Sequence, residues 1–255
     1  MAGYEPLNTL KPVARNLWVI DGPTTRLHGA PIPARATVVQ LDNGNIWIHA
    51  PVRLTPTLQD EVAALGPVRH LIDPNCDLWE DVCEWQRAFA KARVWLAPGM
   101  DPAMDGEMHP RPKSLGGRAD TPWRGQITQL LAEGHGFLRE PVFFHCASRS
   151  LILSNLIHNV ETDRLPAWAR PVVWIAGADH PRGGMPLLAR MRFRGRAKQL
   201  TDAVETMIGW NPERIVPRHG KIVECDGAEW LRRMFRRHLR DREWERLLGK
   251  VRDRN

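Results

Sequence analysis

Apolar and polar positions along this chain recur with two periods, and their alternation divides it into short strands and one-faced helices. Residues 16–20 (NLWVI) form an apolar run, and the pattern predicts a strand that stops at Asp21-Gly22-Pro23. Residues 36–41 (ATVVQL) and 46–49 (IWIH) flank Asp42-Asn43-Gly44-Asn45, and two β-rich runs about such a turn predict a hairpin. Thr55 is placed to cap a helix reaching Leu65, closed by Gly66-Pro67. A strand at 68–72 (VRHLI) then leads through Asp73-Pro74-Asn75 into a helix. Its apolar residues Leu78, Val82, Trp85 and Phe89 recur at four, three and four. Residues 94–97 (VWLA) give another strand, so this half alternates strand and helix as α/β domains do.

Residues 101–122 are rich in Pro, Gly and Asp and read as a long loop. Strands follow at 142–145 and 150–153, paired across the tight turn at 146–149. Further strands are expected at 172–175 and 214–216, with helices at 187–192 and 198–208 between them. A final helix over 227–252 places Leu231, Met234, Phe235 and Leu239 on one face. A second apolar group, Trp244, Leu247, Leu248 and Val251, follows out of phase. No internal repeat or interdomain linker divides residues 1–255, and one domain with this basic amphipathic helix packed on it is the expectation.

Composition alters the picture in two places. The chain carries 36 Lys and Arg against 29 Asp and Glu, a net +7. Residues 227–255 hold ten basic and five acidic side chains, so most of the excess sits in the terminal helix. Acids interrupt that helix at Asp241, Glu243 and Glu245, which favours a packed element over a nucleic-acid or lipid contact. Nucleic acid and membrane are therefore set aside as partners, a small-molecule ligand is retained, and the sequence is silent on oligomeric state. The four cysteines lack C-x-x-C spacing, which points to a reducing compartment. With no apolar leader or span, the expectation is a cytoplasmic location.

Candidate chemistry is sparse. His145-Cys146 with Ser148 places a base beside nucleophiles, but neighbouring residues of a strand face opposite ways. His70, Cys76, Cys83 and His180 have no metal-motif spacing, and lone residues of these types are usually structural. The polar loop containing His180 leaves an expected strand end, where pocket rims form. Asn155, His158 and Asn159 would share one face of a helical turn.

Four segments together resemble the metallo-β-lactamase superfamily, and within it an uncharacterised bacterial branch of unknown function. Residues 16–23 with 36–51 resemble its opening β-meander, with His49-Ala50-Pro51 at the strand end. Residues 65–98 (LGPVRHLIDPNCDLWEDVCEWQRAFAKARVWLAP) resemble the unit bearing the first metal motif. Residues 143–159 resemble the hairpin with the bridging aspartate. IVPRHG at 215–220 resembles the strand ending in the last metal-binding His-Gly.

The resemblance implies a four-layer αββα sandwich. It also implies a site in which His, His, Asp and His are replaced by Asn75, Asp77, Trp79 and Glu80, and the bridging Asp by Asn155. Only His219 keeps its expected type. An amide is a poor zinc ligand, and an indole offers no in-plane lone pair. Asp77, Glu80 and His219 remain a carboxylate-rich set suited to one divalent ion, Mg²⁺, Mn²⁺ or a weakly held zinc. The competing reading has Asp77 starting the helix and Glu80 facing water, with no tightly bound cofactor. His49, Asn75, Trp79, Asn155, His158 and His180 are then expected around a pocket. Two functions follow. One is an altered or single-metal hydrolase of a small ester, lactone or amide-like substrate; the other is a non-catalytic ligand- or partner-binding protein.

Overall fold

The computed structural model describes residues 3–27, 29–75, 79–100, 110–116, 121–135 and 139–252, and every count below is of these. A seven-stranded sheet runs in chain order through β1 (Leu10–Ala14), β2 (Leu17–Leu27), β3 (Ala30–Gln40), β4 (Ile46–His49), β5 (Val68–Asp73), β6 (Arg93–Leu96) and β7 (Lys113–Ser114). A four-stranded sheet comprises β8 (Ile127–Glu133), β9 (Arg139–His145), β10 (Ser150–Leu153) and β11 (Arg214–Pro217), ordered β11-β10-β9-β8. The helices are α1 (Pro56–Leu65), α2 (Trp79–Ala88), α3 (Arg170–Ala176), α4 (Leu187–Arg192), α5 (Ala197–Gly209), α6 (Gly227–Met234) and α7 (Arg236–Arg252).

The period of two in the strands sorts these elements into four layers. In β4, Ile46 and Ile48 join Leu58 and Val62 of α1 and Val82 and Trp85 of α2 in an outer core. Trp47, between them, turns inward to a core shared by both sheets, with Val39, Ile72, Trp95, Phe143, Ile152 and Val216. In the second sheet the alternation repeats. Phe143, Ile152 and Val216 face inward, while Val142, Phe144, Leu151, Leu153 and Ile215 face α5 and α6 through Leu200, Val204, Met207 and Leu231. The order helix, sheet, sheet, helix is thus written in which member of each residue pair is apolar. Three tryptophans, Trp47, Trp95 and Trp123, meet edge to face in the middle layer, with ring centroids 6.1 and 4.9 Å apart.

Thr55 caps α1 as expected, its hydroxyl accepting from the Leu58 amide at 3.3 Å. Other expectations need correction. The strand at 16–20 does not stop at Asp21-Gly22-Pro23: β2 passes through them to Leu27, absorbing the proline with a register shift between Gly22 and Thr25. Residues 172–175 are helix, not strand. Pro171 lies in the first turn of α3, and Gly177 ends it at φ 69°, donating to the carbonyls of Trp174 and Val173. A four-residue apolar run cannot itself distinguish the two. Three strands, β1, β7 and β8, fall where none was expected, β7 within the 101–122 loop, part of which lies outside the described residues.

The terminal helix divides at Phe235. In its first part Trp230, Leu231 and Phe235 are buried in the second outer core, between the four-stranded sheet and α5, with Met234 and Leu239 packed against it. In its second part Trp244 and Leu247 are exposed, and Arg242 and Arg246 pair with Asp202 and Glu205 of α5. Exposed pairs of this kind are each worth about 0–1 kcal/mol. A chain ending at Arg240 is therefore expected to lose only ~1 kcal/mol, read as a shift of a few degrees in a thermal melt. A collapse of the melt would show that the distal turns hold the core.

Candidate functional site

The segments leaving the C-terminal ends of β10 and β11 meet at one edge of the sandwich. There, residues 158–160 are clasped on two sides. His158 exchanges two backbone hydrogen bonds with Gly184, each 2.9 Å. The Asn159 amide donates to the His219 carbonyl at 3.0 Å, and the Asn159 carbonyl accepts from Lys221 at 2.7 Å. Gly220 makes this approach feasible. It sits at φ 103°, and a Cβ there would come within 2.0 Å of the Asn159 carbonyl oxygen. The clasp brings the rings of His158 and His219 to 4.6 Å, edge to face. The anticipated helical turn over 155–159 is absent; an extended segment does the positioning.

Both rings line a cavity of about 320 Å³. Arg26 and Thr25 at the end of β2, Arg192 and Leu188 of α4, Asn155, and Arg218 complete most of its wall. No carboxylate is among its described lining residues. Glu140 stands just behind, 3.6 Å from Arg192 and accepting from the Asn155 amide at 2.6 Å. Arg218 donates from Nη1 to Asn75 Oδ1 at 2.7 Å, which ties the loop after β5 to the segment after β11.

The imidazoles are held uncharged. Burial lowers the pKa of His158 to about 3, and the charge of Arg218 acts in the same direction. His219 is also held well below its ordinary value, by burial first and then by His158 and Arg218. Its Nδ1 donates to the Pro33 carbonyl at 2.7 Å, so the neutral ring presents Nε2 as a lone pair. His158 is only 2% exposed, and neither of its ring nitrogens has a hydrogen-bond partner. His49, its pKa lowered to about 3 by burial, lies one step inward, its Nε2 2.8 Å from Ser154 Oγ.

Of the residues singled out from sequence, Asn155, His158 and His219 line the cavity, and Asn75 is joined to it through Arg218. Trp79 instead packs partly buried against the outer core, and Glu80 is exposed in the first turn of α2. His180 bonds through Nδ1 to Asn159 Oδ1 at 3.2 Å, behind the cavity wall. Asp77 and Cys76 lie outside the described residues. His145 meets Ser148 Oγ at 2.7 Å, but that hydroxyl donates on to Ser150 in the interior, away from this cavity. The arginines carried no signal in the sequence, since isolated arginines obey no spacing rule.

Among the described residues no group of three or more His, Cys, Asp or Glu side chains could hold a metal ion. The two imidazoles that do converge stand beside Arg218, a permanent cation that repels another.

Solved structures share the fold at low identity. The DIM-1 metallo-β-lactamase exposed to ceftazidime aligns with 87% of this chain and 93% of its own, at 15% identity and TM-score 0.60. A metallo-β-lactamase from Erythrobacter litoralis aligns over 90% and 89% respectively, at 13% identity and TM-score 0.54. The metal-soaked Flv1 flavodiiron core from Synechocystis aligns over 91% of this chain and 60% of its own, at 15% identity and TM-score 0.61. The architecture is therefore the metallo-β-lactamase fold, a four-layer αββα sandwich. No curated protein matches the chain in sequence. The model of a domain of unknown function, DUF4336, matches residues 15–173, which include His49, Asn75, Asn155 and His158 and stop short of Arg218 and His219. With well over half its length in that match, the chain belongs to the DUF4336 family.

Proposed function

We propose that this protein binds a small organic anion in the edge cavity, and that its metal site is degenerate, without the two-zinc chemistry of its fold. The observation that carries this reading is the lining: Arg26, Arg192 and Arg218 beside two uncharged imidazoles, with no carboxylate among the described lining residues. Such a wall attracts negative charge, and guanidinium groups match carboxylate and phosphate oxygens two at a time. Ile32, Pro186, Leu188 and Ala189 supply an apolar side, which fits an organic anion better than an inorganic one. The volume, about 320 Å³, suits a small molecule.

Calorimetric titration with a panel of small carboxylates and phosphate esters tests the reading. Saturable binding is expected to weaken with salt and to fall about tenfold in Arg26→Ala, the loss of one charge-assisted contact. Arg26 is exposed, so that variant should fold normally. Elemental analysis after dialysis is expected to find fewer than two zinc ions per chain. Two tightly held zinc ions, or no anion binding at all, would overturn the proposal.

A second reading rests on His158. An imidazole kept unprotonated, lining the cavity and with neither nitrogen engaged, is suited to act as a base on an ester, lactone or amide-like ligand whose entry uncovers a ring nitrogen. Under that reading His158→Gln abolishes turnover of a bound ester while leaving its binding intact. A single divalent ion on Asp77, Glu80 and His219 finds less support, because Glu80 points to solvent and Arg218 flanks His219.

A further inference from the structure

The segment between β10 and β11 carries a feature that the cavity shares only through Leu188. Six large apolar side chains stand exposed on it: Trp168 at 60%, Trp174 at 69%, Ile175 at 68%, and Leu187, Leu188 and Met191 at 43% to 59%. Their helices use other residues to hold the fold. In α3, Val173 and Ala176 face inward onto Ile32 and Leu165, and in α4, Ala189 faces the second outer core. The two helices are neighbours, because Arg190 of α4 donates to the Ala176 carbonyl at the end of α3, at 3.0 Å. Apolar residues scattered singly are normal on a surface, whereas six on neighbouring helices of one segment, two of them tryptophans, point to a contact site.

The surrounding charge selects the partner. Between residues 162 and 198 the chain has eight Lys and Arg against two Asp. Arg170, Arg182, Arg190, Arg194 and Lys198 of this stretch are all exposed. A second copy of the chain would bring the same positive field against itself, so self-association through this face is disfavoured. The complement is a surface that is negative outside and apolar beneath. No described helix is long and apolar enough to cross a membrane, but helices with Trp and Leu on one side and Arg around them lie in the headgroup layer. Indole rings favour that layer in particular, since it wets one edge and buries the other. We infer that the face formed by Trp168, α3 and α4 docks this protein onto an anionic phospholipid bilayer. Leu188 belongs to both this face and the cavity wall, so docking would set the cavity mouth beside the lipid surface. The inference does not depend on what the cavity binds.

Co-sedimentation with vesicles tests it. The intact protein should bind phosphatidylcholine vesicles containing about 30% phosphatidylserine, bind pure phosphatidylcholine several-fold more weakly, and release as salt rises from ~0.1 to ~0.5 M. The double variant Trp168→Ala/Trp174→Ala should bind the anionic vesicles about tenfold less while melting at an unchanged temperature, because neither ring is buried. Arg182→Glu/Arg194→Glu should weaken binding to the anionic vesicles alone. Trp244→Ala removes an equally exposed tryptophan from α7 and should change nothing. Absence of binding to anionic vesicles would overturn the inference, as would an equal loss in Trp244→Ala. Sedimentation velocity showing a dimer that the Trp168/Trp174 variant dissolves would assign the face to a second copy instead, and would also overturn it.

Discussion

Acid should begin to destabilise this protein steeply before most of its carboxylates take up protons. His49 and His158 each have a pKa lowered from 6.5 to about 3, and His219 is lowered well below 6.5, all three mainly by burial. In the unfolded chain each accepts a proton near 6.5, so below that pH the unfolded state binds more protons than the folded one. Stability is complete above about 6.5 and declines by ~1.4 kcal/mol per pH unit for each such histidine until the folded pKa is reached. Three together give a slope of ~4 kcal/mol per unit, against a total stability of about 5–15 kcal/mol for an ordinary domain. The expected midpoint therefore lies between about pH 5 and pH 3, read by circular dichroism across a pH series. His158→Gln should flatten the slope by about a third. A native signal persisting well below pH 3 would show that these imidazoles are not buried as described.

Asp21→Ala is expected to lower stability by about 3–5 kcal/mol, or roughly 10 °C in melting temperature. Asp21 is buried and pairs with two cations. Arg35 reaches Oδ1 through Nε at 2.9 Å and Nη2 at 2.7 Å, and Lys11 reaches Oδ2 at 2.9 Å. Arg35 is itself 4% exposed, so deleting the carboxylate strands a charge inside the protein. The damage should extend to the cavity. Arg35 Nη1 donates to the Gly220 carbonyl at 2.6 Å and the Pro217 carbonyl at 3.3 Å, on either side of Arg218-His219. Anion affinity should fall along with stability. Asp21→Leu/Arg35→Met, which removes both charges, should recover most of the stability and none of the tether. A single variant that melts normally would mean that water reaches the pair.

What the sequence disclosed follows from which interactions are local. The D-N-G-N hairpin, the Thr55 cap and the alternation of β4 and β5 are short-range features, and each was legible. His219 could be read because it closes IVPRHG at a strand end, and Asn155 and His158 because they follow another. The arginines could not. Arg26, Arg192 and Arg218 arrive at one cavity from β2, α4 and the end of β11, and only tertiary packing makes them neighbours. The same holds for Asp21 and Arg35, where the pattern suggested a strand end and the structure has a buried ion pair. Charge bookkeeping misled in its own way. The terminal helix accounts for most of the net excess, which hid the equally basic stretch at 162–198 behind acids elsewhere in the chain. Reading residues 172–175 as a strand also hid Trp174 and Ile175, which would have been half-buried in a sheet and are solvent-facing in a helix.

β10 and β11 are adjacent and parallel, hydrogen-bonded residue for residue from Ser150–Arg214 to Leu153–Pro217, yet all of residues 154–213 lie between them. The sheet fixes only the two ends of such a crossover, and the rest is held by side-chain packing and by the clasp at residues 158–160, so its length and content can change while the sheet register stays fixed. Both His158 and Arg192, and every exposed apolar residue of the α3–α4 face, belong to that crossover, whereas Arg218 and His219 follow the strand that closes it. Relatives should therefore diverge fastest in what they recognise and slowest in the frame that recognises it. The family match ending at Val173, partway along the crossover, is where such divergence would first become visible.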